Sequence, residues 1–227
     1  MKRNNFNYFK NKFKPEKSFS LLGEDILIKS FFPPKYIGNY IDIGSGHPVF
    51  GNNTFLFYKK SWKGVLVDPN NDQFYKAEKN RTSDIILNYG IKTVNNQKNE
   101  DSLYYKKSWP EISSTNKEDF YLLKKFFSEY MQNDLILEKR IKLIDANELK
   151  KIFNVDNLDI LSIDIETSCE DIILDFIKFY NPKVIVYEKN HKDKIRWNDF
   201  NYELISTNEM NNIIINKNYK KNNIFDY

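Results

Sequence analysis

The stretch Asn39-Tyr-Ile-Asp-Ile-Gly-Ser-Gly46 narrows the folds open to this chain more than any other. Tyr40, Ile41 and Ile43 make a short apolar run of the kind that a buried parallel strand needs. Asp42 lies at the close of the run, and two glycines two residues apart follow it. Gly44 and Gly46 supply positive φ and lack a Cβ, so the backbone there can turn sharply and lie against a ligand. A helix soon afterwards would aim its free N–H groups into the same crevice. In open α/β sheets that crevice, outside the carboxyl ends of the strands, is where nucleotide-like ligands sit.

A second anchor lies about twenty residues on. Gly64-Val-Leu-Val67 reads as another buried strand, and Asp68-Pro69-Asn70 ends it. An acid at the tip of a second strand can accept hydrogen bonds from both hydroxyls of a ribose, although Asp-Pro-Asn is also ordinary turn chemistry. A dinucleotide fingerprint would place a third glycine at position 49, which is Val49. Asp-x-Gly-x-Gly is instead the loop typical of S-adenosylmethionine-dependent methyltransferases. The cofactor-binding set read from these positions is Asp42, Gly44, Ser45, Gly46, Asp68, Asn88 and Asp164.

Strands and helices alternate on either side of these anchors. Strands are expected at 39–43, 63–67, 84–88, 158–164 and 182–188, with a closing pair at 202–205 and 212–215. Helices are expected over 23–32, after Asn52-Asn53-Thr54, over 71–80, over 145–153, and after Thr167 or Ser168, either of which can cap the last. This alternation means a mostly parallel, doubly wound sheet with helices on both faces. Residues 91–145 break it: Lys92-Thr93-Val94 and Leu103-Tyr104-Tyr105 look like short strands, and a helix is expected over 116–132. Such an insert is expected to shape a substrate pocket, with Trp109, Tyr104 and Tyr105 offering faces to a sugar ring; an edge hairpin with a covering helix fits equally. Residues 1–20 read as a basic, aromatic extension that docks by Phe6, Phe9 and Phe13, and 21–227 as the domain proper.

Composition excludes several classes. The abundance of aromatic residues (Phe 18, Tyr 15, Trp 3) argues against disorder in a chain otherwise rich in Asn and Lys. A net charge of +4, with 35 basic and 31 acidic residues interspersed, is too slight for a polyanion-binding design, so no nucleic-acid partner is expected. The single Cys169 permits no internal disulfide and no cysteine-based metal site. No stretch has the apolar length to span a bilayer and no apolar signal core opens the chain, so a cytoplasmic location is expected.

Taken together, Gly23-Glu-Asp25, Tyr40-Ile-Asp-Ile-Gly44, Asn52-Asn-Thr54, Trp62-Lys-Gly64, Val67-Asp-Pro69, Leu158-Asp-Ile-Leu-Ser-Ile-Asp-Ile-Glu166 and Pro182-Lys-Val-Ile-Val-Tyr-Glu188 resemble the FkbM family of methyltransferases, in order and in approximate spacing. The resemblance covers nearly the whole chain from Gly23 onward. It implies a class I, Rossmann-like fold with an antiparallel C-terminal strand, S-adenosylmethionine as cofactor, and methyl transfer to a hydroxyl of a sugar or natural product. Two places depart from the family pattern: Thr167 stands where a glycine usually follows Asp-x-Glu, and His47-Pro48 replaces a small polar residue and glycine.

A hydroxyl acceptor must lose its proton during attack, which calls for a carboxylate, a histidine or a metal-polarised oxygen. Asp164 and Glu166 lie at the carboxyl end of a central strand, Glu188 ends its neighbour, and His191 follows; these are the candidate catalytic residues. Residues 164 and 166 share one side of an extended segment, so their carboxylates could converge on a hydroxyl or on Mg²⁺ or Mn²⁺. A non-catalytic cofactor- or nucleotide-binding module of the same fold is the alternative, and an NAD-dependent oxidoreductase is disfavoured by Val49.

Overall fold

In a computed structural model, which describes residues 16–107, 113–118, 120, 136–165, 169–190 and 193–223, the apolar runs pair side by side as the alternation demands. Helix α1 (Glu24–Ser30) precedes β1 (Asn39–Ile43), the short α2 (Phe55–Tyr58), β2 (Lys63–Val67), α3 (Asn71–Asn80) and β3 (Ile85–Leu87). An inserted unit follows, comprising β4 (Gly90–Ile91), β5 (Glu100–Lys106), β6 (Ser113–Ser114) and β7 (Ile136–Ile144). The alternation resumes with α4 (Ala146–Ile152), β8 (Ile160–Ile163), α5 (Glu170–Tyr180) and β9 (Val184–Glu188). A 3-10 turn at Trp197–Phe200, β10 (Tyr202–Thr207), β11 (Asn211–Asn216) and α6 (Lys217–Asn223) complete it.

The main sheet has the order β10-β11-β9-β8-β1-β2-β3. β1 pairs in parallel with both β2 and β8, β2 with β3, and β8 with β9. β11 is the reversed strand, antiparallel to β9 and to β10. The chain therefore winds outward in one direction from β1 and later starts again on the other side of it, at β8. That reversal opens a crevice between the carboxyl ends of β1 and β8.

Successive residues of each strand point to opposite faces, and both faces are covered. Ile41, Ile43, Val65, Val67, Leu161, Ile163, Ile185 and Tyr187 pack with Leu149 of α4 and with Ile173 and Phe176 of α5. Tyr40, Leu66, Ile160, Val184 and Val186 pack on the other face with Ile28, Leu56, Phe57, Trp62 and Ala77. The β1 and β8 positions that carry polar groups on this second face, Asp42 and Ser162, are fully enclosed.

Local chemistry sets the helix starts. Asn70 caps α3 by accepting Asp72 N–H at 2.9 Å, and Asp145 and Glu148 form a reciprocal capping box on α4. Asn52 Oδ1 accepts the N–H groups of Thr54 and Phe55 (3.0 and 2.8 Å) and so performs the capping expected of its segment. The N-cap of α5 is Cys169, which makes no side-chain cap bond; Thr167 and Ser168 lie outside the described residues.

The insert is a second sheet, β4-β7-β5-β6, in which β5 and β7 pair antiparallel from Glu100↔Lys142 to Lys106↔Ile136. Leu103, Ile141 and Leu143 give it a small core of its own, against which Tyr105 packs. The strand expected at Leu103–Tyr105 is the middle of β5. The one expected at Lys92–Val94 ends instead at Ile91, because a turn closed by Asn96 N–H to Thr93 O (3.0 Å) takes the chain away. Most of the helix expected over 116–132, together with Trp109 and with Phe6, Phe9 and Phe13, lies outside the described residues.

Candidate active site

The glycine loop is fixed from three sides. Gly44 N–H donates to Val67 O at 2.8 Å, which carries the β1–β2 ladder one step into the loop. Its φ is +68°, and a Cβ there would stand 1.9 Å from the carbonyl oxygen of Asp164. Glycine is thus required by the approach of the end of β8, and not by the ligand space. Gly46, at φ +54°, differs: a Cβ would meet nothing nearer than Gly44 O at 4.0 Å, so this face of the loop is open. Gly46 N–H donates to Asp68 Oδ2 at 2.9 Å, and Asn70 N–H to Asp68 Oδ1 at 2.8 Å. Asn88 Nδ2 donates to the backbone oxygen of Asp68 at 3.1 Å. The acid at the tip of β2 is thereby oriented by the loop it faces.

Beneath the loop lies a buried polar network. Asp42 accepts Asn52 Nδ2 (2.9 Å) and Thr54 Oγ1 (2.7 Å), and Asn52 Nδ2 also reaches Ser45 O (3.1 Å). Arg81, completely enclosed at the end of α3, donates to Pro48 O (2.8 Å), Asn52 Oδ1 (2.6 Å), Thr54 Oγ1 (2.8 Å) and Tyr40 Oη (3.1 Å). Tyr40 in turn donates to Asp84, which also accepts Gly64 N–H. One guanidinium therefore ties the loop after β1 to the end of α3, through groups that water does not reach. Nothing local in the sequence marks Arg81 for this task, since its partners are 27 to 41 residues away.

Above the loop, at the carboxyl ends of the strands, is a cavity of about 540 Å³. That falls within the roughly 300–1,000 Å³ of small-molecule sites. Gly44, Ser45, Gly46 and Asp68 form its floor on the β1–β2 side, and Asp164 and Glu188 contribute on the β8–β9 side. Tyr89, Gly90 and Ile91 close the flank beyond β2, under Leu103 and residues 113–115 of the insert. Ser45 Oγ is buried here with no hydrogen-bond partner among the described residues. An orphaned hydroxyl in a cavity wall is one that a ligand can satisfy.

Residues 42–221 match the family model of the methyltransferase FkbM domain. The chain belongs to the FkbM methyltransferase family. Among solved structures, a methyltransferase from Geobacter sulfurreducens resembles this FkbM chain at 10% identity over 95% of it and 97% of the other chain; its TM-score of 0.43 is too low to build on. Comparison with curated proteins gave no match. The strand order and its reversed C-terminal strand are those expected of the FkbM chain's class I, Rossmann-like fold.

The candidate residues of this FkbM chain divide by position. Gly44, Ser45, Gly46, Asp68, Asp164 and Glu188 meet in one cavity. Asp42 and Asn88 do not line it: the first supports the loop from below, and the second holds the backbone of Asp68. Glu166 and His191 lie outside the described residues. Tyr104 is also absent from the wall, its hydroxyl donating to Glu138 at 3.2 Å on the outer face of the insert. Among the described residues, no three His, Cys, Asp or Glu side chains converge in a manner suited to a metal ion.

Electrostatics separate the acids. Burial pushes Asp42 up, against the opposing effects of Thr54, Arg81 and Asn52. Asp164 faces the cavity and is exposed through it, yet it is ringed by protein. That desolvation, with the charges of Asp42 and Glu24 nearby, pushes it up to about 6. Burial would also raise Glu24, but hydrogen bonds led by the Asn211 amide hold it below the usual carboxylate range. The acid facing the acceptor side of the cavity is thus poised near neutrality, while the one behind it stays ionised.

Proposed function

We propose that this FkbM-family chain is an S-adenosylmethionine-dependent O-methyltransferase acting on a hydroxyl of a sugar or other small molecule. The observation that carries the reading is the cavity over the glycine loop, with the orphaned Ser45 hydroxyl and the loop-oriented Asp68 in one wall and Asp164 and Glu188 in the other. The residues present fit the cofactor. Gly46 leaves open space above the loop, Ser45 offers an unused hydroxyl, and Asp68 is placed to accept from ribose hydroxyls. When bound, S-adenosylmethionine supplies an electrophilic methyl group. The chain's own residues align the acceptor hydroxyl and take its proton.

Asp164 is our candidate for that base, because a carboxylate whose pKa lies near the working pH can be deprotonated and still basic. Glu188, at the end of the adjacent parallel strand, faces the same acceptor and would hold it by a second hydrogen bond. No step is assigned to Mg²⁺ or Mn²⁺. No described helix is long and apolar enough to cross a membrane, and we place the reaction in the cytoplasm.

Calorimetric titration with S-adenosylhomocysteine tests the reading. Binding is expected, and Asp68→Ala should weaken it by about 1.5–3 kcal/mol, the worth of hydrogen bonds to a charged group. Turnover on a panel of hydroxylated acceptors with S-adenosylmethionine should follow. Failure of S-adenosylhomocysteine to bind, or preferential binding of NAD, would overturn it.

A further inference from the structure

The cavity opens through a rim that is both apolar and firmly held. Leu21, Phe50 and Met210 line the cavity, yet they are 64%, 65% and 42% exposed. They come from three separate segments: the stretch before α1, the loop after the glycines, and the turn between β10 and β11. Other exposed apolar side chains, such as Ile37, Tyr75 and Leu204, lie on other elements and do not touch the cavity.

Buried carboxylates fix each rim segment. Asp25, completely enclosed, accepts Ser18 Oγ (2.6 Å), Phe19 N–H (2.7 Å) and Ser20 Oγ (3.0 Å). Phe19 O then accepts Asn52 N–H at 3.0 Å, which joins this stretch to the loop bearing Phe50. Glu24 Oε2 accepts Leu22 N–H at 3.0 Å. Its Oε1 accepts the side-chain amides of Asn208 (2.8 Å) and Asn211 (2.9 Å), which flank Met210. His47 Nδ1 accepts Phe50 N–H at 3.2 Å. Large apolar side chains held in water on a hydrogen-bonded frame, around the mouth of a cavity, mark a place where apolar ligand surface is received.

Resting on the methyltransferase reading above, we infer that the acceptor is an amphiphile. Its hydroxyl-bearing polar head enters the cavity toward Asp164 and Glu188, and an apolar arm, a chain of several carbons, leaves through the mouth over Leu21, Phe50 and Met210. The rim then sets which acceptors are taken, and the carboxylates set which oxygen reacts. Shedding water from two or three methylenes against the rim is enough for a preference of tenfold or more.

The test uses two probes with one head group, n-octyl and methyl β-D-glucopyranoside, titrated into the full chain below the micelle concentration. The octyl compound is expected to bind at least tenfold more tightly. The combined Leu21→Ser, Phe50→Ser and Met210→Ser variant should reduce that ratio below threefold while binding S-adenosylhomocysteine as the parent does. Met210→Ser alone, at an exposed turn, should lower the ratio in the same direction and guards against misfolding of the triple variant. Equal affinity for the two probes, no binding of either, or a preference that survives all three replacements would overturn the inference. The titrations are run without cofactor, so a failure to bind S-adenosylhomocysteine would sink the methyltransferase reading separately and leave the rim's selectivity still measured.

Discussion

Replacing Arg81 by methionine should test how the glycine loop is held. Methionine fills much of the same volume, so the loss is chiefly polar. Pro48 O, Asn52 Oδ1, Thr54 Oγ1 and Tyr40 Oη each lose a charged donor at 2.6–3.1 Å. These contributions do not add, and breaking a buried charged network by removing one partner costs about 3–5 kcal/mol. Against a total stability of roughly 5–15 kcal/mol that is a large share, and for a chain of this size it lowers Tm by roughly 6–20 °C. A pH dependence should accompany it. Burial already raises Asp42 and Asp84, and the positive charge of Arg81 opposes the rise in both. Without that charge both folded pKa values move higher. A carboxyl whose folded pKa exceeds its unfolded value contributes stability that is full below the unfolded value, near 3.8, and is lost as pH rises through the folded one. The penalty of Arg81→Met should therefore be larger at pH 8 than at pH 5. Urea melts at both pH values measure it. Arg81→Lys serves as a control: it keeps the charge without the planar fork, so it should recover the pH dependence more than the stability. A loss under about 1 kcal/mol, equal at both pH values, would refute the reasoning, because a network of this kind cannot be that cheap to break.

Gly44→Ala should destabilise the chain by about 1–2 kcal/mol from the left-handed backbone alone, and by more from the contact with Asp164 O; an unchanged melt would mean that the ends of β1 and β8 are less closely bound than described. Ser45→Ala should leave the melt of the ligand-free chain within about 0.5 kcal/mol, since no bond is lost, yet weaken S-adenosylhomocysteine by about 0.5–1.5 kcal/mol in calorimetry. Turnover should rise with pH through about 6, as Asp164 gives up its proton, and level off above. Asp164→Asn should abolish that limb and lower turnover by roughly a hundredfold or more. A limb that persists in Asp164→Asn would move the role to another group.

The fold was largely legible because its evidence is local. Tyr40-Ile41, Val65-Leu66-Val67 and Val184-Ile185-Val186 are continuous apolar runs, as strands covered on both faces must be, and each became a strand of the main sheet. Strand β7 was hidden for the opposite reason. With Glu138, Lys139, Arg140 and Lys142 in it, the stretch reads as solvated surface, and only pairing with β5 makes it a strand. The site shows the same division. Gly44, Ser45, Gly46 and Asp68 announce themselves by adjacency, whereas Arg81, Glu24 and Asp25 act through partners that only the fold brings near. Even Gly44 was legible in identity and not in cause: the sequence suggests room for a ligand, and the structure shows a neighbouring strand end.

Glu24 joins the first described helix to a turn 184 and 187 residues later. Emerging from the ribosome, the chain has its glycine loop and Asp68 in hand long before the strands that position Asn208 and Asn211 exist. Until those last strands dock, Glu24 has no amides to receive and the mouth has only part of its rim. The end of the molecule that meets the cofactor is thus available early, and the end that selects the acceptor is finished among the last. A nascent or damaged chain lacking its final hairpin would still carry a nucleotide-binding floor, with nothing to choose what comes to be methylated upon it.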